Sequence, residues 1–183
     1  GGGYTGLEVA LGAGSDTLTY STGVAGGAYG SVEISALSDS TVSSIDTLDF
    51  TGTTTTGLGT VAFDVGSSTF AATAQLSTGG FVSGDAFSAA AGVTGSISTG
   101  GVMTVDKTVT SVATMAGYAD AATSKAGSTV VFTNGEDAFL FIQGGATGVA
   151  DDYVAKIDAV SGVGLGLTIG GSAEQATVSF TVD

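Results

Sequence analysis

The sequence predicts a mainly β protein: a β-sandwich or β-roll-like set of strands, with one short α-helix at about 109–125 packed on a C-terminal β-meander. Three observations predict it. Apolar and polar residues alternate in short runs over most of the chain, which is the period of a strand with one wet face. The runs are separated by clusters of Gly, Ser, Thr and Asp that favour turns, and 32 of the 183 residues are glycine while none is proline. One stretch alone changes to helical spacing. The hydrophobic fraction of 43% and mean hydropathy of +0.46 set the chain apart from disordered acidic sequences and give it material for a core.

In the first half, residues 7–11, 17–20, 31–35, 47–50 and 61–65 alternate as short strands. Turn-forming segments at 12–16, 26–27, 51–59 and 66–68 divide them. Residues 76–107 have a mixed pattern, in which the alanines at 89–91 fit one helical turn and 102–105 fits a strand. No fixed-period repeat runs across the chain, which argues against a long solenoid or propeller.

The helix is expected where Val109, Val112, Ala113, Ala116 and Ala119 recur three and four apart, with Thr108 as N-cap, Lys125 in the last turn and Gly127 as terminator. Two apolar runs, 129–133 and 137–142, flank Asn134 and Gly135, a strong hairpin signal. A third strand at 153–160 and two more at 164–169 and 176–182 complete the meander. The natural division is a β-rich part over residues 1–103 and a helix-plus-meander part over 104–183, or one continuous domain.

Composition excludes several functions. There is no histidine and no cysteine, so histidine-dependent triads, zinc or haem held by histidine, thiol nucleophiles and disulfide frameworks lack their atoms. Three lysines, Lys107, Lys125 and Lys156, stand against 17 acidic residues, for a net charge of −14, which leaves no basic surface for nucleic acid. No apolar run is long enough to span a bilayer as a helix. The glycine pairs 100–101 and 170–171 lack the lysine and helix of a phosphate loop. The tyrosines, Tyr4, Tyr20, Tyr29, Tyr118 and Tyr153, are expected in the core or an interface. The chain is therefore expected not to be an enzyme. It begins at Gly1 without a methionine, and so is expected to be a processed or truncated product whose parent extends upstream.

What remains is a supply of hard oxygen ligands, which suits calcium best. Residues 12–19 (GAGSDTLT) form one degenerate copy of the G-G-x-G-x-D-x-U-x calcium repeat, with Asp16 as its acid; the plain alternative is a glycine turn entering a strand. Asp46 and Asp49 are three apart, so a strand sends them to opposite faces, and one ion joins them only across a bend; otherwise they are solvated strand-edge carboxylates. Asp151 and Asp152 follow a loop rich in carbonyls, with Glu136 or Asp137 available from the neighbouring hairpin. Adjacent carboxylates repel unless a cation or solvent relieves them. The spacing of an EF-hand is not present.

The segments 128–143 (STVVFTNGEDAFLFIQ), 148–160 (GVADDYVAKIDAV) and 162–165 (GVGL), after a Thr/Val-rich lead-in and the alanine-rich helix, resemble the C-terminal domain of bacterial surface proteins exported by type I secretion, the group of S-layer proteins and RTX-type adhesins. Upstream, 14–19 (GSDTLT) and 44–50 (SIDTLDF) resemble the calcium-repeat flank and the aspartate-rich bridge before such domains. The resemblance covers about two-thirds of the chain, as pattern, and departs from the family in holding a single nonapeptide. It implies a secreted β-rich module at the bacterial cell surface, stabilised by calcium, self-associating into a lattice, sheath or filament, with its parent passing a type I exporter. The rival expectations are an adhesin or carbohydrate-binding module, and the noncatalytic tail of a secreted hydrolase.

Overall fold

The computed structural model describes residues 8–20, 28–53, 57–65, 76–77, 86–89, 93–123, 125–158, 160–170 and 174–182. Tyr4, the turns at 26–27 and 66–68, the Phe81 and Val82 pair and the alanines at 90–91 lie outside them.

Five short strands open the chain: β1 (Glu8–Ala10), β2 (Thr17–Thr19), β3 (Ala28–Glu33), β4 (Asp46–Asp49) and β5 (Gly57–Asp64). They are dealt alternately to two sheets. β1, β3 and β5 pair in parallel in one sheet, and β2 and β4 pair in parallel in the other. This is the winding of a β-roll, two and a half turns long, and it forms without the sequence repeat that a solenoid was expected to need. The physical reason is that each rung requires only an inward apolar position on every second residue, such as Val32, Leu48, Val61 and Phe63, all buried.

The rest of the chain completes both sheets. β6 (Ala86–Ala89), β7 (Val93–Ile97), β8 (Val102–Thr104), β9 (Thr129–Thr133), β10 (Ala138–Ile142) and β11 (Tyr153–Asp158) extend the second sheet to the order β2-β4-β11-β10-β9-β8-β7-β6. β12 (Val160–Gly170) and β13 (Gln175–Val182) extend the first to β1-β3-β5-β13-β12. Among the described residues the molecule is mainly β, with two mixed sheets and one short α-helix. Each sheet draws strands from both sides of residue 103. The meander is shorter than expected: after β11 the chain leaves that sheet, and β12 and β13 join the roll's other face, so the run of apolar strands serves two layers.

The sheets face one another across a core that includes Val32, Phe63, Val178 and Phe180 from one and Leu48, Val131, Leu140 and Ile157 from the other. At the roll end, rings interlock. Phe50 stacks on Tyr20 at 4.4 Å between centroids, meets Tyr29 edge-on at 4.9 Å and leans on Phe180 at 4.8 Å. Gly59 lies beneath this cluster, where a Cβ would come 2.5 Å from the Tyr29 ring.

β9 and β10 are buried along their whole length, because the second sheet is covered on both faces. Its outer face, Val130, Phe132, Phe139, Phe141 and Val154, packs on α1 (Val112–Ala122) through Met115, Ala116 and Ala119. Alanine on that stripe brings the helix close to the sheet. The helix is shorter than the expected 109–125. Asp106 folds the chain back first, with its Oδ1 accepting the Thr108 N–H at 2.8 Å and its carbonyl the Val109 N–H at 2.9 Å, so Ser111 becomes the N-cap and accepts from the Thr114 N–H. Thr123 ends the helix in extended backbone, and its hydroxyl donates to the Ala119 carbonyl at 2.8 Å. Lys125 and Gly127 therefore belong to the following turn. Ala89, read as the start of a helical turn, lies in strand β6.

The hairpin between β9 and β10 is confirmed, though Thr133 pairs with Ala138 and leaves a four-residue loop. Asn134 organises it from inside: its Oδ1 accepts the Glu136 and Asp137 N–H groups at 3.0 Å each, and its Nδ2 donates to the Val109 carbonyl at 3.0 Å.

Candidate functional site

The seven acids singled out by sequence do not gather in one place: Asp16 meets Asp46, Asp151 adjoins Asp152, Glu136 and Asp137 share a hairpin and Asp49 stands apart, and of the seven only Asp46 and Asp152 are buried. The first pair lies where the turns leading into β2 and β4 stack. The Asp16 N–H donates to Asp46 Oδ1 at 2.9 Å, and the Thr47 N–H donates to the Asp16 carbonyl at 2.8 Å. Asp46 is not a solvated edge carboxylate but is 1% exposed, because β4 lies between β2 and β11 and residue 46 shares the inward face of Leu48. Its own N–H donates to Ser40 Oγ at 2.7 Å, and Ser40 Oγ donates to the Val154 carbonyl. Burial pushes the Asp46 carboxyl up to about 6; the Asp16 N–H resists this, while the charges of Asp16 and Asp39 add to it. Burial, then the same Asp46 and Asp39 charges, also raise the Tyr153 phenol.

Asp39 was not anticipated. It closes the 3₁₀ turn Leu37–Asp39, with Oδ2 accepting the N–H groups of Ser35 at 3.1 Å and Ala36 at 2.9 Å. Asp49, by contrast, does not join Asp46. It points to the other face, and its Oδ1 accepts the Thr51 hydroxyl at 2.6 Å and N–H at 2.8 Å, bonds that hold its carboxyl below the usual range.

The second pair lies in the lead-in of β11, where it meets the end of α1. Asp152 has no exposed surface. Its Oδ1 accepts the Gly144 N–H at 2.8 Å, and its Oδ2 is buried without a hydrogen-bond partner. Burial raises this carboxyl to about 7; the charges of Asp120 and Asp151 add to the rise and the Gly144 N–H opposes it. Asp120 was also missed by sequence reading. Its Oδ1 accepts from Gln143 Nε2 at 2.8 Å and its Oδ2 from the Gly148 N–H at 3.0 Å. Asp151 Oδ2 accepts the Ala146 N–H at 2.9 Å. The 144–148 loop thus turns its amides onto three carboxylates. Gly144 has to be glycine here, since a Cβ would overlap the Asp151 carbonyl and its Oδ2. Beside the loop an open cavity of about 320 Å³ is lined by Asp120, Thr123, Lys125, Gln143, Gly145 and Thr147, among others.

Glu136 and Asp137 do not reach this place. They sit at the other end of β10, about 20 Å away along the strand, where Lys156 pairs with Asp137 at 3.0 Å and Asp158 at 3.3 Å. Burial alone would lower the Lys156 ammonium, and the two carboxylates outweigh it and raise it. Among the described residues no three of His, Cys, Asp or Glu are gathered as a metal's ligand set, and no helix is long and apolar enough to cross a membrane. A signal for Asp120 was present in the sequence: a carboxylate in the last turn of a helix opposes the helix dipole, so it needs local donors to be kept there.

The chain is thus a mainly β protein in which a short parallel roll continues into a sandwich, with Asp46 and Asp152 buried on opposite faces of its second sheet. Comparison with protein-family models, with curated proteins and with solved structures finds no match to this chain.

Proposed function

We propose that the chain is a nonenzymatic structural module of a bacterial surface layer, sheath or filament, secreted and associating with copies of itself with help from divalent cations. The first rung of the roll carries this reading. Among the described residues β1 and β2 are edge strands of three residues each, paired only with β3 and β4. On the opposite side the Leu167 N–H of β12 donates to the Gly100 carbonyl before β8 and links the two sheets, while β6 forms the far edge of the second sheet among the described residues. A roll grows by adding rungs to such an end, and an edge offers unpaired backbone groups to another chain.

The outer face of the roll sheet supports the same reading. Ser31, Ala62, Thr177 and Thr168 stand in one register row across β3, β5, β13 and β12, small side chains over which a second sheet can pack closely. A charge of −14 makes copies repel at low salt, and bridging or screening cations remove that barrier.

Light scattering and negative-stain imaging of the purified chain, in calcium and then in chelator, test the reading. Ordered arrays or filaments that dissolve on chelation are the expected result. A monodisperse monomer in both conditions overturns it and favours the adhesin or hydrolase-tail alternatives, which glycan binding and the upstream gene sequence then separate.

A further inference from the structure

We propose that Asn134–Gly135 is a self-modification site that the fold holds shut: the native chain keeps its amide, whereas the unfolded chain closes a succinimide there and ends with a carboxylate that the hairpin does not accommodate. This concerns the single chain and holds whether or not copies assemble.

Asn134 is the only asparagine in the sequence, and a glycine follows it. Asparagine is among the thermolabile residues, and glycine on its C-terminal side leaves the attacking backbone nitrogen without a side chain to screen it. The reaction consumes only water. The Gly135 nitrogen gives up its proton and bonds to Asn134 Cγ, the Cγ–Nδ2 bond breaks, and Nδ2 leaves with that proton as ammonia. Water then opens the ring at either carbonyl, which gives an aspartyl or an isoaspartyl link.

In the folded hairpin both reacting groups are engaged elsewhere. Asn134 is 3% exposed. Its Oδ1 accepts the N–H groups of Glu136 and Asp137 at 3.0 Å each, and its Nδ2 donates to the Val109 carbonyl at 3.0 Å, so the amide is pinned both to its own loop and to the turn before α1. The nucleophile is held too. The Gly135 N–H donates to Thr133 Oγ1 at 2.9 Å, and Thr133 is buried in β9, where it pairs with Ala138. Closure needs the nitrogen stripped of its proton and aligned on Cγ within about 3–3.5 Å. It therefore takes the Gly135 hydrogen from Thr133 and Nδ2 from Val109, and both of those partners are buried. The Glu136 and Asp137 amides act the other way, since they face the oxygen on which charge develops during attack; were they to dominate, conversion would be faster in the native chain than in the unfolded one.

The product does not fit. A carboxylate in place of the amide sets an oxygen where Nδ2 donates, against the Val109 carbonyl at 3.0 Å. That oxygen is buried with its residue, next to Glu136 and Asp137 in a chain of net charge −14. An acceptor facing an acceptor has lost a bond and gained a repulsion. The isoaspartyl form goes further, because it threads the side-chain carbon into the backbone and lengthens the loop between β9 and β10, two strands buried throughout. Unfolding long enough to cyclise thus leaves a covalent mark, and each marked copy returns to a weaker native state.

The test follows the mass of the intact chain in mildly alkaline buffer, with and without guanidinium chloride, and peptide mapping counts aspartyl and isoaspartyl forms at residue 134. The native chain converts at least about tenfold more slowly than the unfolded one, as expected of a site reached only by opening of the hairpin. Asn134→Gln, kept in the denaturant, shows no comparable gain in mass, which assigns the reaction to this residue whether or not that variant folds. Asn134→Asp, made directly, melts more than about 2 °C below the parent by circular dichroism or does not fold. Three results would each overturn the proposal: an unfolded chain that keeps its amide, native conversion less than about tenfold slower than unfolded, or an Asn134→Asp chain that melts within about 2 °C of the parent.

Discussion

Phe50→Ala is the sharpest probe of how the roll is fastened to the sandwich. The ring follows β4, is 1% exposed, and touches three others: Tyr20, stacked at 4.4 Å, Tyr29 at 4.9 Å and Phe180 at 4.8 Å. Tyr29 and Phe180 belong to strands of the opposite sheet, so one truncation opens a cavity at the place where the two layers meet. Phe→Ala in a core costs about 3–5 kcal/mol, and aromatic pairs add about 0.5–1.5 kcal/mol each beyond their area, which places this site toward the upper end. At about 2–4 °C per kcal/mol for a protein of this length, the melting temperature should fall by roughly 6–20 °C. Thermal melting followed by circular dichroism, with urea titration for the free energy, measures it. Leu58→Ala is the control: Leu58 is 63% exposed on the outer face, and its loss should stay within about 0.5 kcal/mol. If Phe50→Ala melted within about 2 °C of the parent, the roll would not be held through these rings and the common core would be wrong.

Gly59→Ala drives a methyl into the Tyr29 and Phe180 rings and should destabilise by about 1–3 kcal/mol; equal stability in urea would show that the rings yield freely. Asp46 and Asp152, raised to about 6 and about 7, make stability fall with pH in chelator. Their contribution is fully present below about pH 4, where the unfolded chain also holds both protons, and is lost as pH rises through 6 and 7. The double variant Asp46→Asn with Asp152→Asn should flatten that profile between pH 4 and 8, and an unchanged slope would mean that neither acid is desolvated.

Local chemistry was legible wherever it was self-contained. The alternation of β13, the apolar runs of β9 and β10, the Asn134 hairpin and the existence of α1 each rest on residues within a few positions of one another. The ends of α1 were misread because Asp106 and Ser111 compete with Thr108 for the same role, and only the backbone conformation shows which wins. Asp151 and Asp152 were recognised as an acidic loop from the sequence, but their neighbours were not. Asp120 reaches them from the helix and Gln143 from the adjacent strand, whereas Glu136 and Asp137, close in sequence to that strand, are carried to its far end.

Strand periods, turn composition, hard oxygen ligands and the lack of histidine and thiol are local properties, readable from the order of the residues. That strands far apart in the chain lie side by side, β4 with β11 and β5 with β13, emerges with the folded sheets alone. That pairing is what buries Asp46 and the Phe50 rings. Periodicity records which face of a strand is apolar but not which strand lies beside it, and desolvation depends on the neighbour.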